Sequence, residues 1–192
     1  MSANVVDITT TEGSDPDGLS RAIISTIGQD RPGLVSGITT LITDLQLSID
    51  DSRMSILGGD FAVLMSVTGS TAALANLEGR LRDYCDSQGM AFLFRHSSER
   101  QAVDATPYVV TVTAMDHPGI VRSVASFFSQ RSINILELST ETQPAAHTGT
   151  PIFSLHMTVE LPSASNAAEL TSAFEEFCLE QDLDGEFQSQ AK

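Results

Sequence analysis

Two short segments carry side chains whose types and spacing could recognise a small charged molecule. Asp30-Arg31-Pro32-Gly33 and Asp116-His117-Pro118-Gly119 each follow a β-rich run, AIISTIGQ or YVVTVTAM, and open a helical pattern. Proline suits the first helical position, because its fixed φ fits the turn and its missing N–H would lack a partner there anyway. The glycine after it leaves the backbone uncovered, and bare N–H groups at a helix start attract a carboxylate. An aspartate just ahead can accept hydrogen bonds from an ammonium group. The combination suits the two charged ends of a free amino acid. A structural reading stands beside it: an aspartate before a helix commonly satisfies N–H groups at the helix start, and a strand–Pro–Gly–helix corner packs without any ligand.

These corners belong to a longer repeat. DRPGLVSGITTLI at 30–42 and DHPGIVRSVASFF at 116–128 lie 86 residues apart, with Asp, Pro, Gly and Val identical and apolar residues exchanged for apolar ones elsewhere. Downstream, LQLSIDDSRMSI matches RSINILELSTET, and FAVLMSV at 61–67 matches FSLHMTV at 153–159, now 92 apart. The extra residues fall in QPAAHTGTP, a Pro/Gly/Thr-rich stretch that reads as a long hairpin connection. Leu81, Tyr84 and Cys85 match Phe174, Phe177 and Cys178 in two helical segments.

Each copy reads β-α-β-β-α-β. In the first, strand 21–28 precedes helix 32–46, where Leu34, Val35, Ile38, Leu41, Ile42 and Leu45 recur at helical spacing. Strands 48–57 and 61–68 flank the tight-turn signal Gly58-Gly59-Asp60, and helix 71–87 and a strand near 90–95 close the unit. The second copy repeats this as strand 108–115, helix 118–131, strands 133–142 and 152–161, helix 165–181 and a strand near 185–188. The expected class is α+β: two ferredoxin-like units, each a four-stranded antiparallel sheet with two helices on one face. The expected organisation is a disordered segment 1–19, units at 20–95 and 107–188, and a polar joining segment 96–106.

The βαββαβ order with D-R-P-G-L-V and D-H-P-G-I-V at the first β–α corner resembles the ACT domain. Two such units in a chain of this length resemble the glycine cleavage system transcriptional repressor family. That resemblance implies an amino-acid-sensing regulator, not an enzyme, which binds an amino acid such as glycine or serine. It also implies control of glycine-cleavage gene expression through a protein partner, such as a transcriptional activator, without direct DNA binding. In ACT domains the ligand usually lies at a domain–domain interface, held by the first corner and the start of the neighbouring unit's second strand. By position this implicates Asp30, Arg31, Gly33, Leu34 and Ser48 in the first unit, and Asp116, His117, Gly119, Ile120 and Asn134 in the second. Asn134 matches the Asn common in serine-regulated members and is expected to help close the second site. Those members also tend to carry Asn where this chain has Asp30 and Asp116. A regulatory subunit of a separate amino-acid enzyme and a ligand-free interaction module are the alternatives. ACT sheets commonly extend side by side, and edge strands leave room for a homo-oligomer.

Composition narrows the partners. Twenty-five acidic residues against ten basic ones give a net charge of −15. Phosphate backbones are bound by Lys and Arg that release counterions, so direct nucleic-acid binding and anionic membrane surfaces are disfavoured. The acidity reads either as solubility and adaptation to salt or as complementarity to a basic protein. His96, His117, His147 and His156 form no HxH or HxxxH pair, so neither metal nor cofactor is expected. Cys85 and Cys178 read as buried small hydrophobes. His156 alternates with Phe153, Leu155 and Met157 and is expected on the opposite sheet face. No apolar run approaches the roughly 20 residues that span a bilayer, and the first residues lack a basic or long apolar region. A cytoplasmic protein with reduced thiols is the expectation.

Overall fold

The computed structural model describes residues 19–97 and 104–190; the expectation of disorder for 1–19 falls almost wholly outside them. The chain forms two compact units, 1–101 and 102–192. Unit 1 runs β1 (Leu19–Gln29), α1 (Leu34–Asp44), β2 (Ser48–Leu57), β3 (Asp60–Ser70), α2 (Thr71–Gln88) and β4 (Ala91–Ser97). Unit 2 repeats the order as β5 (Ala105–Met115), α3 (Ile120–Ser129), β6 (Asn134–Pro144), β7 (Pro151–Pro162), α4 (Ala167–Glu180) and β8 (Asp184–Ser189). Strands β4 and β5 reach into the expected joining segment 96–106, taking Ser97 and Ala105 with them; residues 98–103 lie outside the described ones.

Both sheets are antiparallel, with orders β2-β3-β1-β4 and β6-β7-β5-β8. Alternation in the strands decides which face the helices cover. In β3, Phe61, Val63, Met65 and Val67 are buried, together with Ala22 and Ile24 of β1. Leu34, Ile38 and Ile42 of α1 and Leu74, Leu77, Leu81 and Cys85 of α2 close over that face. Unit 2 builds the same layer from Val110, Val112, Leu155, Met157, Val124, Phe128 and Phe174. Helix α2 is capped by the Ser70 hydroxyl, which accepts from the Ala73 N–H, and α4 by Asn166 in the same way.

The hairpin signal at Gly58-Gly59 forms a two-residue turn. The φ values of 61° and 95° match a type I′ turn, whose twist suits antiparallel strands. The repeat extends to backbone strain: Gln46 and Ser132, 86 residues apart, both hold φ of 56° after the first helix of their units.

The corner helices start two residues later than the pattern predicts, at Leu34 and Ile120 rather than at the prolines. Gly33 and Gly119 are the caps, with φ of 99° and 106° and ψ near zero. These are values for the third residue of a type II turn, where proline precedes and glycine is required. The Pro-Gly pair therefore makes a tight turn ahead of the helix and is not its first turn.

Candidate functional site

Each corner is pinned from behind by its own hairpin. The Asp30 N–H donates to Gly59 O at 3.0 Å, and the Asp116 N–H donates to Pro151 O at 3.0 Å. The first intrahelical bonds run from Gly37 N to Gly33 O and from Ser123 N to Gly119 O. The N–H groups ahead of them at each helix start have no intrahelical acceptor, and neither helix has a side-chain cap. A Cβ placed on Gly33 or Gly119 would meet nothing within 4 Å, so the glycines are required by φ and leave the corners open.

Asp30 and Asp116 do not cap these helices. Both are exposed, and neither carboxylate accepts a hydrogen bond or ion pair from the described residues. The structural role that an aspartate often plays before a helix is thus not played here. Asp30, Arg31, Gly33 and Leu34 line one cavity of about 270 Å³ with Pro32, Val35, Phe61 and Met54. Met54 comes from β2, directly across from Val63 of β3, and sequence reasoning missed it. The signal was present in the register set by the Gly58-Gly59 turn, which brings this stretch of β2 alongside the residues that follow Phe61. Unit 2 has Thr140 across from Leu155, the position equivalent to Met54, so the two corners differ in the wall they present.

The other implicated residues divide. Arg31 does not face a ligand freely: its guanidinium donates to the carbonyl of Gln88 at the end of α2, where a cation complements the helix dipole. His117 is exposed, with Nδ1 3.3 Å from Pro118 O. Ile120 is buried at the start of α3, a packing position. Gly119 borders a different space, a groove of about 640 Å³ between α3 and α4 that continues past Ser123 to Arg131.

Ser48 and Asn134 are not brought to the corners of their own units. Ser48 pairs with Thr68, whereas the corner end of β3 is Asp60, opposite Gln29. Asn134 pairs with Glu160, and the corner end of β7 is Ile152, opposite Met115. Eight residues at about 3.4 Å each separate the two ends of a strand by roughly 27 Å. This antiparallel geometry sets Asn134 away from the corner of its own unit. Its side chain instead lies 3.4 Å from the Glu160 carboxylate.

The cysteines are buried in both units and unpaired. Burial, with Asp86 beside Cys85 and Asp184 beside Cys178, pushes both thiols up to about 11 from an ordinary 9.0. His156 is exposed on the sheet face away from the helices. Among the described residues, no group of three or more His, Cys, Asp or Glu could hold a metal ion, and no helix is long and apolar enough to cross a membrane.

Known proteins share this architecture. Residues 20–95 match the family model of the ACT domain. The chain is 28% identical over 164 residues to the glycine cleavage system transcriptional repressor of Escherichia coli K12, covering 85% of this chain and 86% of that one. It is 34% identical over 71 residues to a UPF0237 protein of Methanopyrus kandleri, covering 37% of this chain and 77% of that one. A crystal structure of a Galdieria sulphuraria protein of unknown function superposes with a TM-score of 0.74 at 26% identity, covering 90% of this chain and 99% of that one. With the corner motif, the strand order and the repeat agreeing, residues 20–95 form an ACT domain, and unit 2 repeats its element order and sheet topology in tandem.

Proposed function

We propose that this protein senses a free amino acid at the Asp30–Gly33 corner and passes the signal on by protein contact, as a regulator of glycine-cleavage gene expression. The observation that carries the reading is the cavity of unit 1. An unpartnered carboxylate and an uncapped helix start share one space of about 270 Å³. That volume lies just below the roughly 300–1,000 Å³ typical of drug-sized ligand pockets, which favours a small amino acid such as glycine or serine. The ligand's carboxylate would sit on the N–H groups near Gly33, and its ammonium would face Asp30. Met54, Val35 and Phe61 supply an apolar wall against which a large polar side chain would lose hydration.

Protein contact, not DNA contact, fits the charge. A surface with net charge −15 repels phosphate backbones, and the E. coli relative is named a transcriptional repressor. A protein partner such as a transcriptional activator would let a chain of this charge act on gene expression. The equivalent corner of unit 2 has Asp116 and Gly119 but Thr140 at the place of Met54, so it would take a different ligand or none.

Glycine has about five non-hydrogen atoms, and a ceiling of about 1.5 kcal/mol per atom limits binding to roughly 7–8 kcal/mol. Affinity is therefore micromolar at best. A calorimetric screen of the twenty amino acids tests the proposal. Asp30→Ala and Gly33→Val are each expected to weaken the wild-type ligand at least tenfold. If both stay folded and bind it unchanged, the corner is scaffolding.

A further inference from the structure

Each sheet has a second face, turned away from its helices, and the two open faces differ in chemistry. Cross-strand register places Ile23 and Ile27 of β1, Ala62 and Leu64 of β3, and Ala91 and Leu93 of β4 together on the open face of unit 1, with the small Ser25 between Leu64 and Leu93. Ile27 is 52% exposed, Leu64 49% and Leu93 42%. At the equivalent positions of unit 2 stand Val109, Thr113, Ser154, His156, Asp184 and Glu186. The same fold at the same positions thus shows water a solvated surface in one unit and an apolar patch in the other. A contiguous exposed apolar patch rimmed by polar groups marks an interaction surface.

The rim of the patch carries both signs of charge. On the β2 side, Asp50 holds Arg21 at 3.4 Å, accepts from Thr68 and lies 3.4 Å from the Ser66 hydroxyl, while Asp51 pairs with Arg53. On the β4 side, Arg95 is exposed and makes no hydrogen bond or ion pair with the described residues. Arg95, Ile23, Ser66 and Asp51 lie at one level across the sheet, since each pairs with the next. A two-fold axis along the strands, between β1 and β3, would lay the β4 edge of one copy over the β2 edge of another. Arg95 of each copy would then lie over Asp51 of the other, with Ile23 and Ser66 between them.

We infer that the open face of the unit 1 sheet is the contact surface of a two-fold homodimer, packed sheet against sheet. Such a contact is self-complementary and closes, as isologous pairing requires. Four strands about 4.8 Å apart and seven residues at about 3.4 Å span roughly 450 Å² in projection per copy. That lies below stable interfaces, which bury about 800 Å² per partner. The dimer is therefore weak, of the size class of transient contacts. Two chains of charge −15 also repel until salt screens them. The screening length falls from about 8 Å at 0.15 M to about 3 Å at 1 M, so the dimer tightens with salt. An acidic foreign partner drawn to Arg95 would instead weaken with salt.

Sedimentation equilibrium of the full chain at about 0.15 M and about 1 M NaCl tests this. The wild type is expected to dimerise, and more tightly at the higher salt. The triple variant Ile27→Thr, Leu64→His, Leu93→Glu carries the residues that unit 2 holds at the same places. It should raise the dissociation constant at least tenfold with an unchanged circular dichroism spectrum, whereas His156→Asn should leave it unchanged. Arg95→Glu, whose side chain has no described partner to lose, should weaken the dimer at least threefold even if the triple variant misfolds. A monomer at both salts, a dimer that loosens with salt, or an unchanged constant for the folded triple variant or for Arg95→Glu overturns the inference.

Discussion

Where unit 1 has Leu81 on α2 and Phe92 on β4 in one core, unit 2 sets Phe174 of α4 over Gly185 of β8. The pairs occupy equivalent places, because Thr26 is opposite Phe92 and Val112 opposite Gly185. A Cβ on Gly185 would come 2.4 Å from the Cys178 sulfur and 3.1 Å from the Phe174 ring. The ring has taken the space that a strand side chain fills in the other unit. It is also part of an aromatic cluster, with centroids 5.3 Å from Phe127, 5.6 Å from Phe128, 6.0 Å from Phe177 and 6.3 Å from Phe187. A duplicated fold thus kept its volume while exchanging large and small residues between helix and strand, which cores tolerate when patterning is preserved.

Truncation at this exchange should separate the units most strongly. Phe174→Ala leaves a hole beside a glycine that has no side chain to move in, and is expected to cost about 3–5 kcal/mol. Leu81→Ala leaves one in a core against which the partly buried Phe92 packs and can adjust, so its cost should sit nearer the lower end of the roughly 2–5 kcal/mol range. Chemical denaturation of the two variants checks the order. Equal losses, or a larger one for Leu81→Ala, would break the volume-exchange account.

The thiols test a property that the units share. Both are held neutral by burial, with pKa about 11 against 9.0 for a free thiol. The unfolded chain ionises first as pH rises, so the thiols' contribution to stability is present below pH 9 and lost between 9 and 11. The loss should be on the order of 2–3 kcal/mol per thiol. A thiol-reactive dye at pH 8 should label neither cysteine in the native protein and both after unfolding. Rapid native labelling of one alone would show that the units differ here too.

The smallest expected effect is a gain. Thr26 is 1% exposed, and its hydroxyl has no hydrogen-bond partner among the described residues. Unit 2 has Val112 in that place. Thr26→Val removes a buried unsatisfied group at almost constant volume and should stabilise the protein by about 1 kcal/mol. A rise in the denaturation midpoint checks it; a fall would mean that the hydroxyl is satisfied after all.

Much of this was legible in the residues. The 86-residue repeat, the Gly58-Gly59 turn and the alternation in FAVLMSV and FSLHMTV led directly to two βαββαβ units, because these signals are local or periodic. The corners were legible as motifs but not in detail. Pro32 and Pro118 read as first helical residues, yet the positive φ of Gly33 and Gly119 moves the helix start past them. Arg31 read as a ligand contact; it lines the corner cavity and also donates to the carbonyl of Gln88, a residue 57 positions away.

By itself, then, the sequence determined the element order, the buried face of each strand and helix, and the two open corners, since each follows from a turn or a period of a few residues. Only the tertiary structure decided what those elements bring together. Antiparallel pairing carries Asn134 to the far end of its sheet from Asp116 and sets Met54 beside Asp30. Strand order gathers Ile27, Leu64 and Leu93 from three separate strands into one exposed patch. Each of these depends on which strands pair and in what register, and that is settled by packing across the whole sheet, not by any neighbouring residues in the chain.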